Sequence, residues 1–554
     1  MAAPTGIAEL RAAPELVTPP RSHFARVIRC AVPAFVLAGV LLLPFLHKAY
    51  TIDDPIFLTG AQQVLRDPLH PSNFSMAWNT DYPQRASEFV ANGAAMYYLL
   101  APVAAAGAKE WQAHLWMLLI FCCGLCATVS VALRLGFTDR EAAWSGVLVA
   151  STPAVLALAS TSMPDVPAMT LATLAVDRML KWKESQRWVH GVAMAVLLTC
   201  AALTRSHLLL LGAACLIWLY EPKSRDGIVK QLWPLALVPV LMVLLTELTR
   251  DPQAPAGGLF AAAATLSSPE GLVRNLISFF THFALVMPFA LPFVVISRRR
   301  WIAVASVVIA VFVTLLFHGT IPLAVPFAVL SAVLVMTEVI WPAFAERRRL
   351  QLFLAAWMVL AIVILEYTHL PSKYLVPSAP AVAFLLLLKL RDVSGKTRRA
   401  VLTGCAVLGI ALSLAIIKAD ANLAGLWRKG AAEIIAPRVA RGERVWFAGN
   451  WGFYWYAEQA GARQLLSDER FPPTGEIIVT CSSGPHDNGL KVGGRGERIE
   501  YIAYSEPGGR IFGGHPRTGF YSNWWGHFPW TWDHDVITSF SVWRVKPVRP
   551  PAGK

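Results

Sequence analysis

Long apolar blocks alternate with short basic clusters along the chain as far as residue 417. Blocks at residues 31–46, 302–317 and 401–417 approach or match the roughly 20 residues that a helix needs to cross about 30 Å of hydrocarbon. This pattern predicts an α-helical polytopic membrane protein. We expect about thirteen transmembrane helices, near residues 31–48, 113–133, 141–161, 166–180, 189–204, 206–220, 232–248, 276–297, 301–317, 321–342, 350–367, 374–390 and 399–417.

The basic clusters fall on one side of this predicted topology. Clusters at residues 21–29, 181–187 and 347–349 are rich in Lys and Arg, and such loops stay in the cytoplasm. The N-terminal tail, residues 1–30, is therefore predicted to be cytoplasmic. No small-residue cleavage site is evident after it, so the first block is interpreted as an uncleaved anchor. An odd number of spans then places the C-terminus on the periplasmic side of the inner membrane.

The predicted transmembrane domain, residues 31–417, has one large outer loop at residues 49–112. This loop contains an apolar stretch at 94–106 that is too short to span a bilayer comfortably. We interpret the stretch as a juxtamembrane or re-entrant helix.

Composition supports the membrane assignment. The 554 residues are 55% hydrophobic and only 15% charged, whereas a soluble protein has about 25% charged residues. The net charge of +14 is compatible with nucleic-acid binding, but the basic residues lie in short clusters between apolar blocks. That arrangement is typical of topology signals, so membrane lipids and not nucleic acids are the expected partners.

The composition changes from about residue 418. Short β-branched or aromatic runs at residues 443–448, 476–480, 498–504 and 539–545 predict strands, and residues 454–462 are predicted to be helical. Residues 418–554 are therefore expected to form a small extracytoplasmic α/β soluble domain.

The most distinctive polar sequence is Thr51-Ile-Asp-Asp-Pro55, directly after the first span. Two adjacent carboxylates at a membrane boundary are costly unless they are solvated or used, and each raises the pKa of the other, which suits a general base. The alternative is a solvated loop that caps the next helix, with Asp54 at the N-cap and Pro55 at N1. Both interpretations can hold together.

Other outer turns carry isolated polar residues. Asp165 lies between two prolines, and a turn or helix-start role is the alternative to a catalytic one. Arg205 and His207 share a tight turn, and Lys373 precedes Tyr374 in another. Arginine suits phosphate because its planar fork donates two hydrogen bonds, and headgroup snorkelling is the alternative for these basic residues.

The sequence indicates no metal cofactor. No paired His–carboxylate spacing appears on one helix, and the eight Cys show neither metal nor disulfide spacing. A divalent cation is therefore not indicated, although none of the residue patterns excludes one.

These motifs together resemble the GT-C glycosyltransferases, in particular the family 39-like enzymes that use polyprenyl-phosphate sugars. That group includes protein O-mannosyltransferases and lipid A aminoarabinose transferases. The resemblance begins with Asp53-Asp54-Pro-Ile-Phe after the first span and covers nearly the whole chain. It continues through the motifs Tyr97-Tyr98-Leu99, Asp165, Leu203-Thr-Arg205, Lys373-Tyr374, Arg444-Val-Trp-Phe-Ala-Gly-Asn-Trp-Gly452 and Gly519-Phe-Tyr-Ser-Asn-Trp-Trp-Gly-His-Phe-Pro529.

The resemblance implies a donor, an acceptor and a reaction. The donor would be a polyprenyl-phosphate-linked sugar, and the acceptor a hydroxyl of an envelope lipid, glycan or protein. Asp53 would be the general base, supported by Asp54 and Asp165, and transfer would invert the anomeric carbon. The expected ligands of substrate or phosphate are Arg205, His207, Lys373, Tyr374 and Tyr97.

Two departures from the family pattern matter. The His/Asn-Pro-Pro run that often precedes the tyrosine pair is replaced by Asn92-Gly-Ala-Ala-Met96, which affects acceptor fit. The usual Arg-Tyr of the late motif is Lys373-Tyr374, which keeps the charge but loses bidentate contact.

Two other classes of function stay open at this point. A transporter or flippase would explain the spans, but it needs neither paired carboxylates in the first outer loop nor an outer soluble domain. A catalytically inactive assembly protein of the cell envelope would keep the fold without the reaction.

Overall fold

The computed structural model describes residues 22–78, 80–90, 93–222, 227–253, 268–288, 290–297, 300–317, 321–346, 348–467, 470–483, 492–514 and 517–547. Most of the predicted cytoplasmic tail, together with Asn92 in the run that departs from the family pattern, lies outside the described residues.

Helices account for most of the described chain. They are α1 (His23–Leu42), α2 (Asp54–Arg66), α3 (Ala86–Phe89), α4 (Ala95–Ala105), α5 (Glu110–Arg134), α6 (Asp139–Ala150), α7 (Pro153–Ala159), α8 (Asp165–Ser185), α9 (Trp188–Thr204), α10 (Leu211–Leu219), α11 (Ile228–Leu248), α12 (Pro269–Leu285), α13 (Ala290–Ile296), α14 (Arg300–Leu316), α15 (Val325–Leu334), α16 (Trp341–Ala345), α17 (Arg349–Met358), α18 (Ala379–Lys389), α19 (Gly395–Gly430), α20 (Ala436–Ala440) and α21 (Trp451–Gln459). Turns of 3₁₀ or π helix connect or extend them at Leu43–Phe45, Ser206–Leu210, Val335–Ile340, Leu360–Glu366, Ser372–Ser378, Leu390–Asp392 and Ala431–Ile435.

The described residues contain seven helices that are long and apolar enough to cross a membrane, or up to nine if two bent pairs each count as one span. The pair α6 and α7 bends by 65° because Pro153 starts the second helix, and a proline cannot continue the hydrogen bonding of the first. The multi-pass helical architecture is confirmed. The count of thirteen spans and the orientation of the termini stay predictions.

The predicted first outer loop, residues 49–112, contains its own secondary structure. Helix α2, a hairpin of β1 (Ser75–Met76) and β2 (Gln84–Arg85), α3 and α4 follow one another here. The eleven residues of α4 extend about 16 Å at 1.5 Å per residue, roughly half of the hydrocarbon thickness. The predicted short helix is therefore present. Arg85 ties the hairpin to Asp251, after α11, through two hydrogen bonds of 2.6 Å.

The C-terminal region is built on a five-stranded mixed sheet. Its strands are β3 (Val445–Ala448), β4 (Arg463–Gln464), β5 (Ile477–Cys481), β6 (Gly496–Tyr504) and β11 (Thr538–Val545), in the order β4-β3-β5-β11-β6. Strand β3 is parallel to β4 and β5, and β11 is antiparallel to β5 and β6. Short strands β7 (Gly508–Arg510), β8 (Phe512–Gly513), β9 (Thr518–Gly519) and β10 (Thr531–Asp533) lie between β6 and β11.

The four strands predicted from sequence are confirmed within a few residues. The predicted helix at 454–462 in fact begins at Trp451, which adopts a left-handed φ of 59° and turns the chain sharply out of β3. Helix α19 runs without a break through position 418, where the composition changes. Gly430 near its end packs against Phe540 of β11, since a Cβ there would meet that ring at 2.5 Å. The last span and the sheet are therefore in direct contact.

Candidate active site

The Asp53-Asp54 pair lies in the short loop between the end of the first span and α2. The helix begins at Asp54, and Asp53 takes the N-cap position without a side-chain capping bond. The prediction that Asp54 is the N-cap is therefore wrong by one residue. The turn closes early because the Asp54 N–H donates to the Thr51 carbonyl at 2.8 Å.

The two carboxylates have different environments. Asp54 is fully buried, and its oxygens accept hydrogen bonds from the backbone N–H groups of Thr51 at 2.9 Å and Ser162 at 2.7 Å. Asp53 keeps 20% of its side chain exposed and pairs with the Lys373 ammonium at 2.7 Å. Asp53 is thus the member of the pair that a ligand can reach, while Asp54 ties the loop to the turn before α8.

Burial and charge drive the pKa values of the two groups apart. Burial raises the pKa of Asp54 to about 7, although Lys48 and the two backbone N–H groups oppose the shift. Burial also acts to raise the pKa of Asp53, but Lys373 and then Arg205 outweigh it, and the pKa lies below its ordinary value. Asp53 is therefore ionised at neutral pH. Adjacent groups whose pKa values are separated in this way are typical of acid–base sites.

Asp165 and Arg205 form a second buried pair. Arg205 donates from Nε and Nη2 to the two carboxylate oxygens of Asp165, both at 2.9 Å. The guanidinium carbon of Arg205 lies 4.9 Å from the centre of the Tyr374 ring. The His207 ring also packs edge-on against Tyr374, with 5.8 Å between the ring centres. The sequence expected Asp165 to position acceptor or backbone; the structure shows it orienting Arg205.

Five of the predicted residues therefore form a connected cluster around Asp53. The cluster consists of Lys373, Arg205, Asp165, Tyr374 and His207. Burial lowers the pKa of the neighbouring His369 to about 3, with a further contribution from Lys373, so this ring is neutral beside the cluster.

Tyr97 lies apart from this cluster. It lies on α4 and is buried against α2, where a Cβ on Gly60 would meet its ring at 2.3 Å. Its hydroxyl has no hydrogen-bond partner among the described residues. The structure shows a packing role for the ring, and its predicted role as a ligand of substrate or phosphate stays a prediction.

Buried polar atoms without partners line the same region. Within the described residues, Ser162 Oγ, His207 Nε2 and Ser372 Oγ are buried and make no hydrogen bond. Each such atom costs about 1–3 kcal/mol, and native proteins retain few of them without a reason. Ser162 provides the backbone N–H that binds Asp54, and Ser372 precedes Lys373 in the chain, so two of these atoms belong to residues next to the cluster.

The sequence missed one central group of residues. Lys48 and Asp420 form a buried ion pair at 2.5 Å, with side chains 0% and 2% exposed. The Thr51 hydroxyl donates to the other Asp420 oxygen at 2.6 Å, and the Tyr521 hydroxyl donates to Asp420 at 3.0 Å. The sequence offered one indication of this group, which is that a charge near a span needs a partner. It did not indicate which residues are paired, because Lys48 and Asp420 are far apart in the chain.

No described group of three or more His, Cys, Asp or Glu residues could hold a metal ion. The expectation that the protein uses no metal cofactor was not tested by this observation and stays a prediction.

Comparison with solved structures identifies the fold. No protein-family model and no curated protein matches the chain. Its structure is similar to that of ArnT from Cupriavidus metallidurans bound to undecaprenyl phosphate, with a TM-score of 0.51 and 14% identity over 86% of this chain and 96% of that one. The apo state of the same ArnT gives a TM-score of 0.50 at 15% identity with the same coverage. The chain therefore shares the fold of this ArnT, which is the GT-C fold that the sequence predicted.

Proposed function

We propose that the protein transfers a sugar from a polyprenyl-phosphate donor to a hydroxyl group of an envelope acceptor, on the outer side of the inner membrane. The observation that carries this proposal is the Asp53–Lys373 pair beside Arg205. It brings an ionised, partly exposed carboxylate and two cations close together. The similarity in fold to a protein that binds undecaprenyl phosphate supports the donor class.

The two cations suit the phosphate of such a donor. Arg205 donates from Nε and Nη2 to Asp165. Its Nη1 makes no hydrogen bond within the described residues, so that nitrogen can donate to a ligand. Lys373 is paired with Asp53 when no ligand is bound. A phosphate would compete for this ammonium because opposite charges attract strongly where they are poorly solvated. Binding of the donor would therefore loosen the ion pair and leave the Asp53 carboxylate available to the acceptor.

The reaction then follows from charge balance. An acceptor oxygen attacks the anomeric carbon, its proton passes to Asp53, and the bond from that carbon to the phosphate oxygen breaks. The configuration at the carbon inverts, and the polyprenyl phosphate leaves with an additional negative charge. Lys373 and Arg205 stabilise that charge as it develops. A positioned base contributes about 10²–10⁴-fold to such a step.

The test combines transfer with binding. Purified protein in lipid nanodiscs is incubated with a panel of radiolabelled polyprenyl-phosphate sugars and envelope fractions, and label in the acceptor is measured. Binding of undecaprenyl phosphate is measured on the wild type, on Lys373→Gln and on a control, Lys546→Gln, whose side chain is exposed in the soluble domain. We expect transfer from at least one donor, and weaker binding only for Lys373→Gln. Absence of both transfer and lipid binding would refute the proposal.

A further inference from the structure

One short segment of the C-terminal domain contacts both sides of the Asp53–Lys373 pair. We infer that residues 520–524, here named the C-terminal strap, position the two members of this pair, so that the soluble domain forms part of the active site. The inference rests on the proposed function for its catalytic meaning. Its structural content is a set of hydrogen bonds to the segments on which Lys373 and Asp53 lie.

On the Lys373 side, the strap holds the turn that precedes the lysine. The Ser372 N–H donates to the Phe520 carbonyl at 3.2 Å, and the Leu370 N–H donates to Asn523 Oδ1 at 3.0 Å. Trp524 Nε1 donates to the Thr368 carbonyl at 2.9 Å. Three hydrogen bonds within five residues of this turn fix the backbone from which the lysine side chain reaches Asp53.

On the Asp53 side, the contact passes through Asp420. The Tyr521 hydroxyl donates to Asp420, and Asp420 accepts from the Thr51 hydroxyl, two residues before Asp53. Thr51 is fully buried, and Tyr521 is 3% exposed. Water therefore does not compete for these hydrogen bonds, and the tyrosine oxygen, the carboxylate and the threonine oxygen form one continuous chain.

The residue between Thr51 and Asp53 shows why such a constraint is needed. Ile52 has a φ of 22°, which a β-branched residue rarely adopts. Conformations of this kind persist only where their surroundings impose them, and they cluster at functional sites. Thr51 is fixed through Asp420 on one side of Ile52, and Asp54 is fixed by backbone N–H groups on the other. The direction of the Asp53 side chain depends on this loop.

The strap is itself docked firmly on the transmembrane domain. The Asn523 amide donates to Asn275 Oδ1 at 2.8 Å and to Ser278 Oγ at 3.1 Å, both on α12. Phe520 is fully buried. A segment held in this way can transmit the position of the sheet to the turn of Lys373 and to the loop of Asp53.

The test removes single hydroxyl groups without changing shape. Tyr521→Phe and Thr51→Val each break one hydrogen bond to Asp420, whereas Thr51→Ser keeps the hydroxyl. Tyr501→Phe is the matched control, because this tyrosine is exposed on β6 of the same domain. Amide hydrogen exchange of the peptide that contains residues 49–55 is measured for each variant, together with kcat and the KM for the donor.

We expect Tyr521→Phe and Thr51→Val to speed exchange in this peptide and to lower kcat about 10- to 100-fold, the effect of displacing a reacting group by about 1 Å. The KM for the donor should be unchanged, and Thr51→Ser and Tyr501→Phe should behave as the wild type. The double variant Tyr521→Phe/Thr51→Val should lose less than the product of the two single losses, because both act through Asp420.

Unchanged exchange in Tyr521→Phe, or a rise in KM with kcat intact, would overturn the inference. If the wild type transfers no sugar from any donor, the proposed function fails instead. The exchange comparison between Tyr521→Phe and Tyr501→Phe still decides whether the strap holds the loop.

Discussion

Replacement of Asp53 by asparagine is the most direct test of the proposed chemistry. The change keeps the size of the side chain and one hydrogen-bond acceptor, but it removes the group that is proposed to take the proton. Transfer should fall by about 10²–10⁴-fold, which corresponds to about 3–5 kcal/mol of transition-state stabilisation at 1.36 kcal/mol per factor of ten. Because the loss concerns only the transition state, kcat should carry it and the KM for the donor should not.

The same substitution also affects stability, and the structure allows the two effects to be separated. Lys373 loses a charged partner but can still donate to the asparagine oxygen, so we expect a loss of about 1–2 kcal/mol. The pKa of Asp53 is lowered in the folded protein, so the folded state binds fewer protons than the unfolded state. The ion pair therefore stabilises the fold above the ordinary carboxyl pKa of about 3.9. Its contribution is lost as the pH falls through the lower native value.

The assay follows label transfer from a fixed donor at pH 7, with undecaprenyl phosphate binding measured in parallel. Asp535→Asn is the control, since this aspartate is exposed in the C-terminal region. A normal rate for Asp53→Asn in a preparation that binds the lipid would refute the assignment of Asp53 as base. Complete loss of lipid binding would show that Asp53 acts on the donor and not on the acceptor.

Three further predictions follow from the same geometry. The pKa of Asp54 is raised to about 7, so the folded state binds more protons than the unfolded state between pH 4 and 7. The free energy of unfolding should therefore fall by up to about 4 kcal/mol as the pH rises through this range. Asp54→Asn should remove this pH dependence of the melting temperature. Arg205→Lys should lower kcat about tenfold by losing the fork on Asp165, whereas Arg444→Lys, 80% exposed, should not. Phosphatase fusions should be active after Gly442 and inactive after Pro222; the reverse would contradict the predicted topology.

Much of the fold could be predicted because it depends on local patterns. The length of an apolar block and the alternation of basic clusters both follow from the bilayer, and the strands of the sheet carried β-branched and aromatic residues. The kink at Pro153 and the unbroken passage of α19 into the C-terminal region were not predicted. The bend has a local cause, since a proline cannot continue the hydrogen bonding of α6, whereas the end of α19 packs against Phe540 of the distant strand β11.

The site was predictable in its residue types and less so in its pairings. The sequence identified Asp53, Lys373 and Arg205 because charges at the ends of spans are costly and therefore informative. It placed Asp54 at the helix cap, one residue late, because the residue types alone do not show that the Asp54 N–H closes a turn on the Thr51 carbonyl. It predicted that Asp165 supports the base and did not pair it with Arg205, since no sequence rule couples the start of α8 with the end of α9. Lys48, Asp420 and Tyr521 were missed because their contacts join three distant parts of the chain.

The buried Lys48–Asp420 pair explains why these three parts belong to one site. A buried ion pair is weak evidence for stability, because well-packed apolar residues of similar volume often serve as well or better. The pair is unusual here in that its carboxylate also accepts hydrogen bonds from Thr51 and Tyr521. An apolar replacement would fill the space but would leave those two hydroxyls without a partner. The pair therefore contributes geometry: it joins the segment before α2, helix α19 and the C-terminal region close to Asp53.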